Sequence, residues 1–194
     1  MSNNHIIEFY NEYLDNFPVK HPSAVGWTDQ HAQYKRFSVL FNIGILDSDR
    51  VLDYGCGLGH LNAYMQLNGY KHIEYFGVDI NPYYIETAKQ LYPNRKFMVS
   101  DIDELHIEPK VDYVIGSGVF TYGVSIEEVV SKIEKAYEMA KRGVAFNFLD
   151  IRSGLHTLLT YDPEAMVQRL SHIGDVKLVN DYLGTEDFTI YIKK

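Results

Sequence analysis

The sequence predicts an α/β protein: a mostly parallel sheet with helices on both faces, entered through a helical extension. Three observations predict it. The stretch 50–60, Arg-Val-Leu-Asp-Tyr-Gly-Cys-Gly-Leu-Gly-His, reads as a buried strand, then glycines at every second position, then the amphipathic run Leu58, Leu61, Met65. That is strand, glycine turn and helix, the first half of a nucleotide-binding βαβ unit. The next strand, Glu74-Tyr75-Phe76-Gly77-Val78-Asp79, ends in a carboxylate. It falls about 20 residues past the glycines, where such folds meet ribose hydroxyls. Beyond it, strand-like runs alternate with capped helical runs along the rest of the chain.

Residues 6–17 carry Ile6, Phe9, Tyr10, Tyr13 and Leu14 at helical spacing, and Pro18 ends the run. A loop leads to Trp27. Thr28 or Asp29 caps a second helix with Tyr34, Phe37, Leu40 and Phe41 on its core face and Gly44 closing it. Neither helix has a place in a sheet. Residues 1–46 therefore read as a lid over the ligand edge, or as an extension that only packs, and residues 47–194 as the core.

Strand one covers 50–54, a helix covers 59–67 with Gly69 as its stop, and strand two covers 72–79. Asn81-Pro82 starts a helix that runs to Tyr92 before Pro93. Strands three and four cover 96–100 and 112–117. Ser125 and Glu128 form a capping box for a helix through Ala140. Lys141 and Arg142 fall in its last turn, favourable to the helix dipole, and Gly143 ends it. Strand five covers 144–149. Asp162-Pro163 opens the last helix, which Gly174 ends. Strands 176–182 and 188–192, joined by a turn at 183–187, can pair antiparallel.

The 194 residues suit one domain with a full core. Eighteen Lys and Arg face 26 Asp and Glu, a net charge of −8 with no basic run. Nucleic-acid binding asks for a basic face, so composition argues against a DNA or RNA partner. Cys56 is the single cysteine and cannot form an internal disulfide. That suits a reducing, cytoplasmic setting. The polar start Met1-Ser2-Asn3-Asn4-His5 is followed by no apolar run of signal-peptide or membrane-span length. The eight histidines show no metal-ligand spacing, so no metal is expected.

A dinucleotide fold asks for G-x-G-x-x-G. Here Asp53 precedes Gly55-x-Gly57-x-Gly59, which resembles D/E-x-G-x-G-x-G, the first motif of class I S-adenosylmethionine (SAM)-dependent methyltransferases. The resemblance covers residues 50–150 by motif and the remainder by architecture. It implies a Rossmann-like fold, a seven-stranded sheet whose last strand is antiparallel, and SAM as methyl donor with S-adenosylhomocysteine as product. It also implies roles for residues. The loop of Asp53, Gly55, Gly57 and Gly59 would lie against the methionine part and ribose. Asp79 would accept the ribose hydroxyls, with Ile80 against adenine. Asp101 would take the adenine amino group, and the Ile102 backbone N–H a ring nitrogen. Ser117, within Gly116-Ser117-Gly118-Val119-Phe120, would lie under the methyl donor. Ala24-Val25-Gly26-Trp27, Arg36-Phe37 and Val119-Phe120-Thr121-Tyr122 resemble a narrower group of small bacterial and phage methyltransferases. There, the second-helix arginine, here Arg36, would face the SAM carboxylate.

No residue declares itself catalytic. Methyl transfer from a sulfonium needs alignment first and a general base only for a protonated acceptor. His31, Tyr122, Asp150 and His156 are the candidates, and Trp27, Tyr34, Phe120 and Tyr122 are candidates for an aromatic wall. No Asn/Asp-Pro-Pro-Tyr/Phe follows strand four, and Cys56 lacks the Pro-Cys context of a cytosine nucleophile. The reading is transfer of a methyl group to oxygen or nitrogen of a small molecule. The alternatives are a SAM-binding protein without transfer, a macromolecular acceptor, or a nicotinamide-dependent oxidoreductase, against which the glycine spacing argues.

Overall fold

The computed structural model describes residues 3–155 and 157–194. Two N-terminal helices, α1 (Asn3–Asn16) and α2 (Gln30–Phe41), flank a 3-10 turn at Pro22–Val25. Asp29 is the cap of α2, its Oδ1 accepting the Ala32 N–H at 2.8 Å. The core then alternates: β1 (Arg50–Tyr54), α3 (Leu61–Leu67), β2 (Glu74–Asp79), α4 (Pro82–Leu91), β3 (Lys96–Val99), β4 (Val111–Ser117), α5 (Ile126–Met139), β5 (Ala140–Leu149), α6 (Pro163–Leu170), β6 (Asp175–Val179), β7 (Tyr182–Thr185) and β8 (Asp187–Lys193). The Asn81, Ser125 and Asp162 caps all form, the second as a capping box.

The seven-stranded sheet has the order β3-β2-β1-β4-β5-β8-β6. β1 to β5 pair parallel, and β8 runs antiparallel between β5 and β6. Chain order reverses between β1 and β4, so the crevice outside their carboxyl ends is where a ligand fits.

Alternate strand residues face opposite layers. Leu52, Val114, Val144 and Ile190 pack with Val129 and Ile133 of α5 and Met166 and Leu170 of α6. Val51, Ile115, Ala145 and Tyr191 pack with Phe37 and Leu40 of α2 and Leu61 and Met65 of α3. Each such buried aliphatic chain contributes about 1.5–3 kcal/mol over exposure. A third cluster of Ala24, Leu58 and Tyr84, flanked by Tyr10 and Val25, joins the N-terminal segment to the glycine loop.

The structure corrects several boundaries; α6, for one, ends at Leu170 with Ser171 as its cap rather than at Gly174. α5 ends at Met139, and Lys141 and Arg142 belong to β5 rather than to a last helical turn. Gly143 is no helix cap: a Cβ there would sit 2.6 Å from the Ile192 carbonyl oxygen, so glycine permits the close approach of β8. The strand expected over 176–182 stops at Val179. Asp181 takes φ +59°, and the chain turns into the short β7. Among the described residues no helix is long and apolar enough to cross a membrane.

Candidate functional site

The glycine loop forms because β1 must turn sharply into α3. Gly55, Gly57 and Gly59 have φ of +72°, +53° and +75°, a region where a Cβ is strained. The Gly55 and Cys56 N–H groups both donate to the Val78 carbonyl, at 2.9 and 3.0 Å, which clamps the loop to β2. A Cβ on Gly55 would lie 2.5 Å from Val119 Cγ2, so the loop after β4 rests directly on this one.

Asp79, at the end of β2, accepts the Gly57 N–H at 2.8 Å and the Asn81 N–H at 2.9 Å. Burial pushes its carboxyl up to about 6, while the Asn81 and Gly57 N–H groups pull it down. Asp53 is buried under the loop and accepts the Tyr75 hydroxyl at 2.8 Å. Burial raises it to about 7 against that hydrogen bond. Asp101 lies at the same edge. Its Oδ1 accepts from the Tyr54 hydroxyl at 3.0 Å and from Lys132 Nζ at 2.6 Å. Ile80 lines the opening, and the Ile102 side chain is core.

At the end of β4, Ser117 and Gly118 line the same cavity as Trp27. Gly118 has φ +70°, and a Cβ there would lie 2.5 Å from Trp27 Cζ2. The Arg36 guanidinium stacks on the other part of this assembly, 4.3 Å from the Trp27 ring centroid. Arg36 is buried and bonds Asp187 through Nη2, with Glu186 3.7 Å away.

These groups surround one cavity of about 550 Å³, within the range of small-molecule sites. α1 covers part of it through Ile6, Phe9, Tyr10 and Tyr13. The helix is held at several points. Tyr10 and Thr121 share a hydroxyl–hydroxyl bond of 2.9 Å. The Tyr84 hydroxyl lies 2.8 Å from both the Tyr10 and the Ala24 carbonyl oxygens. Phe9 stacks on Tyr122 with centroids 4.1 Å apart.

The expected donor-site residues thus converge: Arg36, Asp53, Gly55, Gly57, Asp79, Ile80, Asp101 and Ser117 all line this cavity. Gly59 stands one turn behind it, where a Cβ would meet Phe97 at 3.0 Å. The candidate bases do not converge. His31 is exposed on α2. The Tyr122 ring is engaged by Phe9 rather than lining the cavity. Asp150 is fully buried, and Arg152 grips it through Nε and Nη2 at 3.0 and 2.6 Å. That pairing holds its carboxyl below the usual range, and it does not line the cavity. His156 lies outside the described residues. Of the aromatic candidates, Trp27 and Phe120 line the cavity and Tyr34 and Tyr122 do not.

Sequence reasoning missed Tyr10, Tyr84 and His60 as lining residues. His60 follows the glycines directly. Its Nε2 lies 2.8 Å from the Val19 carbonyl oxygen and its Nδ1 3.2 Å from Gln33 Nε2, and burial lowers its pKa. A neutral ring with both nitrogens engaged orients the N-terminal loop and is no base. The missed signal was its neighbourhood to the motif.

Residues 45–182, well over half of the chain, match the methyltransferase domain family. The chain belongs to that family, and the class I SAM-dependent resemblance holds. A Mycobacterium tuberculosis protein with a provisional methyltransferase name is 29% identical over 164 residues, 78% of this chain and 97% of its own. Malonyl-[acyl-carrier protein] O-methyltransferase 1 of Ilyobacter polytropus is 26% identical over 151 residues, 70% of this chain and 54% of that protein. Among solved structures, magnesium protoporphyrin IX methyltransferase of Synechocystis PCC 6803, crystallised with S-adenosylhomocysteine, superposes with a TM-score of 0.71 at 16% identity over all of both chains. The PH0226 protein of Pyrococcus horikoshii OT3 gives 0.74 at 18% identity over 94% of this chain and 99% of that one. These likenesses are of fold.

The residues present fit SAM. Gly55 and Gly57 of the positive-φ loop line the cavity, and Asp79 stands beside them, accepting the Gly57 N–H. The Ser117 hydroxyl and the Arg36 Nε and Nη1 are buried without a partner, and buried polar groups are paired in finished sites.

Proposed function

We propose that this protein transfers the SAM methyl group to an oxygen or nitrogen of a small-molecule acceptor held beneath α1. The observation behind it is the cavity itself. It runs from the glycine loop to the aromatic underside of α1, and the chain that encloses it is strongly acidic. An aromatic-lined, covered cavity suits a compact acceptor, and an acidic surface disfavours polyanions. In this reading residues 1–46 are a lid, and the single buried Cys56 suits a reducing, cytoplasmic setting.

SAM supplies an activated methyl group, so the protein's task is alignment and exclusion of water. Asp79 receives the ribose hydroxyls and Asp101 the adenine amino group. The glycine loop and Arg36 hold the methionine end. Tyr10 and Trp27 line the cavity, and aromatic rings attract a sulfonium. Burial pushes the Tyr10 hydroxyl up to about 12. It therefore stays protonated at neutral pH and serves as a donor rather than a base. Among the described residues none is assigned as a general base, which only a protonated acceptor requires.

The test supplies SAM labelled in its methyl group together with separated small-molecule, protein and nucleic-acid fractions of a cell extract. Label should enter the small-molecule fraction. Label confined to protein or nucleic acid overturns the acceptor class.

A further inference from the structure

Three large aliphatic side chains stand in solvent on one short loop. Ile151, Leu155 and Leu159, between β5 and α6, are 58%, 43% and 37% exposed. Single exposed apolar side chains are ordinary, but a group of them at a cavity marks an interaction site. The loop is anchored at its base. Asp150 and Tyr161 form a parallel bridge, with the Ile151 N–H donating to the Tyr161 carbonyl at 2.9 Å. The Tyr161 hydroxyl donates to the Phe120 carbonyl at 2.6 Å, and the Leu159 N–H donates to the Thr121 carbonyl at 2.8 Å. The loop is therefore fastened to the one that follows β4, and both supply walls of the cavity.

Leu155 and Leu158 line that cavity, and Leu155 does so while exposed. At Leu155 the apolar wall passes from the interior to the outer surface. Ile6 and Ile7 of α1 and Val119 and Val124 after β4 line the same cavity. The charged side chains of the lining come from other segments, among them Asp53, Asp79 and Asp101 near strand ends, Arg36 on α2 and Lys132 on α5. Among the described residues, α1 and the loops after β4 and β5 add no charged side chain to the lining.

A compact head group beneath α1 leaves Ile151, Leu155 and Leu159 uncovered. An occupant whose apolar part continues past Leu155 covers them. Aromatic partners hold a ring in a set geometry. An aliphatic wall sets no such orientation and gains in proportion to the apolar area it covers, which suits a flexible chain.

We infer that the methyl acceptor is an alkyl-chain amphiphile. Its oxygen or nitrogen lies beneath α1, and its chain leaves the cavity along Leu158 and Leu155 toward Ile151 and Leu159. The inference rests on the transfer reading above and names its substrate class. The methyl group leaves sulfur for the oxygen or nitrogen of the head group. The electron pair of the broken bond stays on sulfur, giving S-adenosylhomocysteine, and any proton on the head group goes to water.

Calorimetry on the intact protein saturated with S-adenosylhomocysteine compares the unbranched 1-alkanols from butanol to decanol. Affinity should rise about fourfold with each added methylene. Leu155→Ser should remove most of the gain between octanol and decanol. It should leave the binding of butanol and of S-adenosylhomocysteine unchanged, the latter reporting a folded donor site. If Leu155→Ser does not fold, Leu159→Ser, on the outer surface, carries the same comparison. Affinity that does not rise with chain length, or a rise that the folded variants keep in full, overturns the inference and leaves the SAM reading standing. Co-sedimentation with phosphatidylcholine vesicles that the substitutions abolish, with alkanol binding unaltered, also overturns it and assigns the leucines to a membrane surface. Absence of heat with S-adenosylhomocysteine itself overturns the SAM reading.

Discussion

Asn81 Nδ2 donates to Asn11 Oδ1 across 2.8 Å, and the Asn81 backbone N–H donates to Asp79 Oδ1 at 2.9 Å. One residue therefore links α1 to the carboxylate expected to hold the ribose. Its own Oδ1 caps α4 by accepting from Tyr83 and Tyr84. At the other flank Tyr10 bonds Thr121, which in turn donates to the Gly118 carbonyl at 3.0 Å. The cover is thus tied to both ends of the donor site by polar contacts rather than only by packing.

Tyr10→Phe removes the Thr121 contact and little volume. It should cost about 0.5–1.5 kcal/mol of stability, the net worth of one such bond, and speed amide exchange in α1 above that in the sheet. S-adenosylhomocysteine should slow α1 exchange in the wild type by ordering this cover. Identical α1 exchange with and without ligand removes the lid role.

Asp79→Ala should weaken S-adenosylhomocysteine binding by roughly 1–3 kcal/mol, since ribose hydroxyls lose a charged acceptor and the Gly57 N–H loses its partner. Titration calorimetry on the folded variant reads this directly. An unchanged affinity places the ribose elsewhere.

The Asp79 carboxyl also sets a pH dependence. Burial raises it to about 6, above its ordinary value of 3.8. The folded apo protein thus holds that proton more tightly than the unfolded chain. Its contribution to stability is full below the ordinary value and lost as pH rises through 6. Binding runs the opposite way, because ribose hydroxyls donate to the charged form. Affinity for S-adenosylhomocysteine should fall about tenfold near pH 5 relative to pH 8. Asp79→Asn should flatten that profile. A flat profile in the wild type would show that the ionised form of Asp79 is not what binds.

Trp27 is the single tryptophan of the chain, and it covers Gly118. Its fluorescence should therefore change when the donor binds. Gly118→Ala places a Cβ 2.5 Å from the ring at φ +70°. Overpacking plus left-handed strain should cost about 2–4 kcal/mol, shift the Trp27 emission to the red and lower methyl transfer. An unshifted spectrum with full activity would contradict the packing of Trp27 on this loop.

The parts legible in the sequence were local. The glycine turn, the carboxylate ending β2 and the caps Asn81, Ser125 and Asp162 each depend on neighbours within a few residues. Long-range decisions were hidden. α5 stops at Met139 because β5 must pair with Val111 on one side and with Lys193 on the other, whereas the local pattern of Lys141, Arg142 and Gly143 reads as a helix end. Asp150 looked available until Arg152 closed on it. The Arg36–Asp187 pair joins residues 151 positions apart, and no spacing rule announces such a contact. Sequence alone does not mark Tyr10 and Tyr84 as lining residues, because their place at the cavity depends on how α1 docks.

The central claim is that the glycine loop, Asp79 and Arg36 bind an S-adenosyl nucleoside rather than a dinucleotide. Calorimetric titration of the intact protein with S-adenosylhomocysteine and, separately, with NAD tests it most directly. The account predicts saturable one-to-one heat with S-adenosylhomocysteine and none with NAD. Saturable heat with NAD and none with S-adenosylhomocysteine would contradict it.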